Sequence, residues 1–192
     1  MSEAYKPLLE EENFTYADYK AWELKPGERF ELISGIAYAM SAPNVSHQRL
    51  KMRLSGEFYA FLNGKKCEVF AAPFDVRLFY EEDDSDDTVV QPDVIVVCDP
   101  KKLGEEGCRG VPDLVVEILS PSNMAIEMER KLLLYREAGV REYWIVDPKD
   151  KHISIYTLKN GEYALQIYSI KDIARSSVVQ GLEIPLSTIF AE

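Results

Sequence analysis

Runs of apolar residues in this 192-residue chain follow two periods, one helical and one of strands. Phe14 to Glu23 predicts a short helix with Thr15 as its cap, and Arg29 to Met40 predicts two short strands joined near Ser34-Gly35. Asn44 caps a longer helix through Asn63, with Gly64 just past its end. Leu50, Leu54, Phe58, Phe61 and Leu62 recur along it at the spacing of one buried stripe. Three strands follow at Phe74–Tyr80, Asp93–Cys98 and Leu114–Leu119. The last two are nearly continuous Val, Ile and Leu, the pattern of strands covered on both faces. A helix beginning near Pro121-Ser122 and ending at Gly139 comes next, then a strand at Glu142–Val146 closed by Asp147-Pro148. His152–Leu158 and Tyr163–Ser169 form a hairpin around the type I′ signal Asn160-Gly161. The expected class is α/β (or α+β): a helix–three strands–helix–strand core with a mixed central sheet and a C-terminal β-hairpin extension. No repeat or low-complexity linker divides the chain, so one domain over 1–192 is expected, with 1–28 as a helical lead-in.

One residue breaks the pattern. Glu117 lies inside Leu114-Val115-Val116-Glu117-Ile118-Leu119, where a lone carboxylate costs several kcal/mol unless a cation or hydrogen-bond donors meet it. A second acid, Asp93, opens Val94-Ile95-Val96-Val97. If the two strands are neighbours, both carboxylates share one end or face of the sheet. Two hard oxygen ligands of this kind suit Mg²⁺. Lys131 stands four residues after Glu127 and four before Tyr135, on one helical face, where an ammonium can orient water or offset phosphate charge. The plainer alternative is a surface pair of Glu127 and Lys131.

Charge narrows the picture. A net charge of −11 opposes casual attraction to nucleic acid or anionic membrane, although Glu81 to Asp87 concentrates much of it in what reads as a solvated loop. No apolar run is long enough for a membrane span, and the polar, acidic start from Met1 to Glu12 is unlike a secretory or transit signal. Cys67, Cys98 and Cys108 lack paired spacing and read as reduced thiols, pointing to the cytoplasm. Between His47 and Lys66 the basic residues Arg49, Lys51, Arg53, Lys65 and Lys66 face only Glu57. Arg49 and Arg53 share a helix side that is either plainly solvated or a phosphate-binding stripe. His47 borders the buried stripe, where a satisfied core or capping histidine is the default. Asp75 is expected to pair locally with Arg77. There is no serine-nucleophile elbow, phosphate-binding P-loop or dinucleotide fingerprint.

The chain resembles the Uma-two family of restriction endonuclease-like proteins, within the PD-(D/E)xK superfamily. The likeness rests on Glu31-Leu32-Ile33-Ser34-Gly35, Pro43 with Ser46-His47, and Pro92-Asp93-Val94. It continues through Val116-Glu117-Ile118-Leu119-Ser120-Pro121-Ser122, Lys131, Tyr135, Gly139-Val140, Glu142-Tyr143-Trp144 and Asp147-Pro148. It implies that Asp93 and Glu117 bind Mg²⁺ (with Mn²⁺ as an alternative ion) and that Glu31 adds a further acid. The strand lysine of the motif is absent, because Leu119 stands there, so the resemblance gives its role to Lys131. His47, Arg49, Arg53 and Ser120 become candidate substrate contacts. Ser34, Asn123 and Glu127 depart from the family's usual residues without removing a proposed ligand. The implied reaction is hydrolysis of DNA phosphodiester bonds by a homodimer. The competing expectation is a catalytically silent nucleic-acid- or protein-binding module that keeps the fold.

Overall fold

A computed structural model describes residues 13–120 and 126–191, and at 126 and 127 it describes the backbone alone. Helix α1 (Tyr16–Ala21) begins at Thr15, whose hydroxyl accepts the Asp18 N–H while Asp18 reaches back to the Thr15 N–H. Strands β1 (Phe30–Ile33) and β2 (Ile36–Ala39) are joined by Ser34 and Gly35, both left-handed at φ 50° and 75°. That is the turn matching strand twist. A Cβ on Gly35 would stand 3.0 Å from the Asn13 backbone, so glycine is required there.

The central sheet is built after α2 (Val45–Leu62). Its strands are β3 (Glu68–Ala71), β6 (Val94–Val97), β9 (Leu114–Ile118), β10 (Glu142–Asp147), β11 (His152–Lys159) and β12 (Glu162–Ser169), in the order β12-β11-β10-β9-β6-β3. Only β9 and β10 run parallel, and α3 (Ile126–Ala138) makes the crossover between them. Leu50, Leu54 and Phe58 of α2 pack on Val94, Val96, Leu114 and Val116. Leu134 and Tyr135 of α3 pack on the intervening Ile95, Val97 and Val115. Both faces of β6 and β9 are therefore covered, which is why their sequences are unbroken aliphatic runs. The start of α3 near Pro121-Ser122, and Asn123, lie outside the described residues, as does the side chain of Glu127.

A second sheet comprises β2, β1, β5 (Val89–Val90), β4 (Asp75–Arg77), β8 (Gly107–Arg109) and β7 (Leu103–Gly104), in that order. Here the sequence expectation needs correcting. The first strand of the core is β3, not Phe74–Tyr80, of which Asp75–Arg77 forms β4 in the other sheet. β3 is an edge strand with Glu68 and Ala71 exposed, so it carries no apolar run to announce it. After the hairpin, whose Asn160 and Gly161 sit at φ 51° and 83°, the chain adds β13 (Ile173–Arg175), β14 (Glu183–Pro185) and α4 (Leu186–Ile189). Ile184, Leu186 and Ile189 extend the α2 side of the core. Among the described residues no helix is long and apolar enough to cross a membrane.

Three further expectations are overturned. Cys67 and Cys98 form a disulfide, with Cα atoms 3.9 Å apart. The antiparallel register pairs Glu68 with Val97, so the next residue outward on each strand stands opposite the other. A separation of 31 residues gives no hint of that in the sequence, and the ground for reading a cytoplasmic, thiol-reduced protein falls away. Arg77 pairs not with Asp75 but with Asp84 and Asp86, while its guanidinium lies 3.8 Å from the Tyr16 ring centroid. Asp75 instead accepts Tyr19 Oη–H and Gln91 Nε2–H. The acidic run is thus partly built into the fold: Asp86 is buried and Asp84 also meets Lys20.

Cys108 is free and buried, and burial pushes its thiol up to about 11. We expect iodoacetamide at mildly alkaline pH to label no cysteine in the native protein, because the thiolate is the nucleophile. Denaturation alone should expose one thiol, and denaturation with reduction three, as read by mass spectrometry. Three labelled cysteines without reductant would refute the disulfide.

Candidate active site

The strand register brings two acids together. Val94 pairs with Val116, Ile95 with Val115 and Val96 with Leu114, so one step further Asp93 stands across from Glu117. The Ile118 N–H donates to Asp93 Oδ2 at 2.8 Å and ties that carboxylate to the strand bearing Glu117. His47 joins from α2. Asn44 caps the helix by accepting the His47 N–H at 2.9 Å, which sets His47 in the first turn. Its Nε2 lies 3.0 Å from Asp93 Oδ2.

Glu117 is met from α3. Its Oε1 accepts from Lys131 Nζ at 2.8 Å and from Tyr135 Oη–H at 2.8 Å. Lys131 and Tyr135 are one helical turn apart, so both reach the same oxygen. Lys131 Nζ also lies 3.1 Å from Glu31 Oε1, which in turn accepts the Gln91 N–H at 2.9 Å. Glu31 hangs from β1, so the second sheet and the central sheet are linked through one ammonium. Burial pushes the Glu117 carboxyl well above its ordinary value. The Lys131 ammonium opposes that shift, and Glu31 and Asp93 reinforce it.

One cleft of about 70 Å³ is lined by Glu31, His47, Lys51, Asp93, Glu117 and Lys131, with Arg29 and Ser120 also along it. A water needs roughly 10–15 Å³ by this measure, so the cleft has room for several. Lys131 is only 2% exposed, so it is not the surface cation of the plainer alternative. The proposed basic stripe is not continuous. Arg49 is exposed on α2, whereas Arg53 Nη1 donates to the Ile189 and Ala191 carbonyls at the end of α4. Among the described residues, three potential metal ligands converge within 4.8 Å only at Asp147, Asp150 and His152 in the β10–β11 turn. There Asp147 Oδ1 already accepts the Lys149 and Asp150 N–H groups. The cleft is therefore no closed three-ligand cage. It presents carboxylate oxygens with space for water.

Residues 16–187 match the Uma2 family, described as "Putative restriction endonuclease". This chain belongs to the Uma2 family. It is 28% identical over 171 residues to an uncharacterized protein of Synechocystis sp., covering 88% of this chain and 87% of that one. Its fold is similar to the crystal structure of a "putative nuclease belonging to DUF820" from Anabaena variabilis. The TM-score is 0.74 at 16% identity, covering 93% of this chain and 98% of the other. The Uma2 chain thus has a restriction endonuclease-like fold of nuclease type.

Sequence reasoning missed the burial or the contacts of several residues in and around the cleft. Lys51 was placed in an exposed basic stripe, yet it is buried. Its helical position foretold this, three residues before Leu54 and seven before Phe58 on the core side. Gln91 gave no signal, because its contact with Glu31 is made through backbone. Tyr135 is buried, and its hydroxyl donates to Glu117. Glu142, at the start of β10, is a second buried acid. It belongs to packing, accepting Trp144 Nε1–H at 2.7 Å and the Ser177 N–H and Oγ–H at 2.7 and 2.6 Å.

Proposed function

We propose that this protein is a divalent-metal-dependent endonuclease that hydrolyses DNA phosphodiester bonds. The observation carrying this reading is the opposition of Asp93 and Glu117 across one antiparallel strand pair, both on a water-accessible cleft. Their donor set is all oxygen, and the cleft leaves space for further water ligands. This fits Mg²⁺, which takes one or two carboxylates and keeps several waters, with Mn²⁺ as a substitute. When bound, such an ion lowers the pKa of a coordinated water and steadies charge on the reacting phosphate.

The remaining roles belong to the chain. The Ile118 N–H and His47 Nε2 fix the Asp93 carboxylate in orientation. Lys131 and Tyr135 hold Glu117, and the Lys131 ammonium, which also meets Glu31, opposes the rise that burial imposes on the Glu117 carboxyl. Ser120 and His47 border the place where a phosphate would enter, and Arg49 is exposed for flanking backbone contacts. Cutting both strands of a duplex calls for two such clefts, which is the reason to expect a homodimer.

A second reading, a non-cleaving binding module, draws on the net charge of −11 and on a motif lysine already engaged by two carboxylates. Supercoiled plasmid incubated with purified protein and Mg²⁺ or Mn²⁺ separates the two. We expect nicked and linear products, lost in Asp93→Ala and on chelation. Cleavage that persists in Asp93→Ala, or no cleavage together with no divalent binding by calorimetry, would overturn the nuclease reading.

A further inference from the structure

We propose that Lys51 is a phosphate-binding cation of this cleft. The assignment rests on the nuclease reading above and names which side chain receives the substrate's charge.

Two lysines line the cleft, and their surroundings differ. Lys131 Nζ is 2.8 Å from Glu117 Oε1 and 3.1 Å from Glu31 Oε1, so two acid side chains already engage it before any substrate arrives. A phosphodiester approaching it finds those donors engaged and two acid side chains in its path. Lys51 is also buried, at 8% exposure, yet among the described residues its Nζ donates only to the Ala72 carbonyl at 3.3 Å. That is a neutral acceptor at the long end of hydrogen bonding. Among the described residues no carboxylate pairs with Lys51. An ammonium has three donors, and lysine is seldom fully buried without a partner, since desolvating an uncompensated charge costs several kcal/mol.

The helix supplies a second sign. His47 and Lys51 are one turn apart on α2, and both border the cleft with Asp93. His47 Nε2 is held by Asp93, while its Nδ1 is buried without a hydrogen-bond partner among the described residues. Two polar groups on one helix face are thus left short of partners beside the acids proposed to hold the metal. A phosphate oxygen supplies what Lys51 lacks: a full negative charge and several strong acceptor positions. Lysine acts on it as a point charge, which needs no fixed fork geometry. The acids and Lys51 then divide the cleft, with metal-binding oxygens on one side and a substrate-binding cation on the other.

The test uses the full-length protein with Lys51→Gln, Lys51→Met and Lys51→Arg. Lys51→Met keeps the buried stem and removes only the charge, so it stands in if Lys51→Gln unfolds. A short fluorescent DNA duplex is titrated with Ca²⁺ present over a range of salt, and turnover is measured with Mg²⁺. Losing one phosphate contact should reduce the salt slope of log affinity by about 0.9 in the Gln and Met variants. Turnover should fall roughly a hundredfold, with Lys51→Arg recovering part of both. A wild-type slope and rate in folded Gln and Met variants would overturn the assignment. In parallel, inorganic phosphate with Mg²⁺ should raise the melting temperature of the wild type but not of Lys51→Met. If the wild type neither binds nor cuts DNA while that phosphate response holds, the nuclease reading fails and the Lys51 assignment survives. If phosphate stabilises both proteins equally, the Lys51 assignment fails.

Discussion

Lys131→Met should destabilise the protein more than any surface change, by about 3–5 kcal/mol, because removing one partner of a buried ion pair strands the other. At about 2–4 °C per kcal/mol for a chain of this size, the melting temperature should drop roughly 6–20 °C. The reason is local. Lys131 Nζ is the cation between Glu31 and Glu117, whose side chains are 1% and 8% exposed. Methionine fills the volume of the lysine stem but leaves two acids facing each other in a poorly hydrated space without their cation. Any negative charge they carry must then be given up to a proton or draw in solvent. Combining Lys131→Met with Glu31→Gln and Glu117→Gln should recover much of the loss, since a neutral cluster of similar shape has no charge to strand. Denaturant unfolding of the single and triple variants measures both effects. A single-variant loss below about 1 kcal/mol is the range of an exposed pair, and would mean that water screens Lys131.

That pairing also marks where the sequence stopped being legible. The period of the apolar residues revealed α2, β6, β9 and the hairpin, because each is a long or strongly patterned run packed on a core face. It failed at β3, a four-residue edge strand with half-exposed positions, and at the β13–β14 pair, whose strands have three residues each. Glu117 was visible because an acid in an aliphatic strand contradicts its surroundings. The identity of its partner depends on α3 folding back over the sheet. Glu31 and Lys131 are 100 residues apart, and no local spacing encodes a contact of that kind. Lys51 was misread for the opposite reason. Its charge suggested solvent, while its helical phase pointed to the core, and the phase decided. The disulfide followed from strand register alone, as did the opposition of Asp93 and Glu117.

Glu117 should also make the metal-free protein less stable as the pH rises from about 4.5 to about 8. Burial keeps the proton on the folded carboxyl up to about 8, whereas an unfolded glutamate releases it near 4.5. Within that window the folded state binds more protons than the unfolded one, so stability is greatest at the acid end and declines towards the alkaline end. The surface acids behave oppositely and elsewhere. Asp18, Asp83, Asp84 and Asp172 are held below 3.8 by hydrogen bonds, so their contribution is lost only as the pH falls through more acidic values. Asp75 is raised by burial and adds to the same decline as Glu117. A divalent ion changes the balance, because it takes the place of the proton on Glu117 and binds more tightly as that proton becomes easier to remove. Melting temperatures recorded across this range should therefore fall with pH in chelator and flatten with Mg²⁺, the gain being largest near the alkaline end. Glu117→Gln should remove the Mg²⁺-dependent part and leave the smaller slope due to Asp75. A Mg²⁺ gain that is independent of pH, or one retained in Glu117→Gln, would place the ion away from this carboxylate.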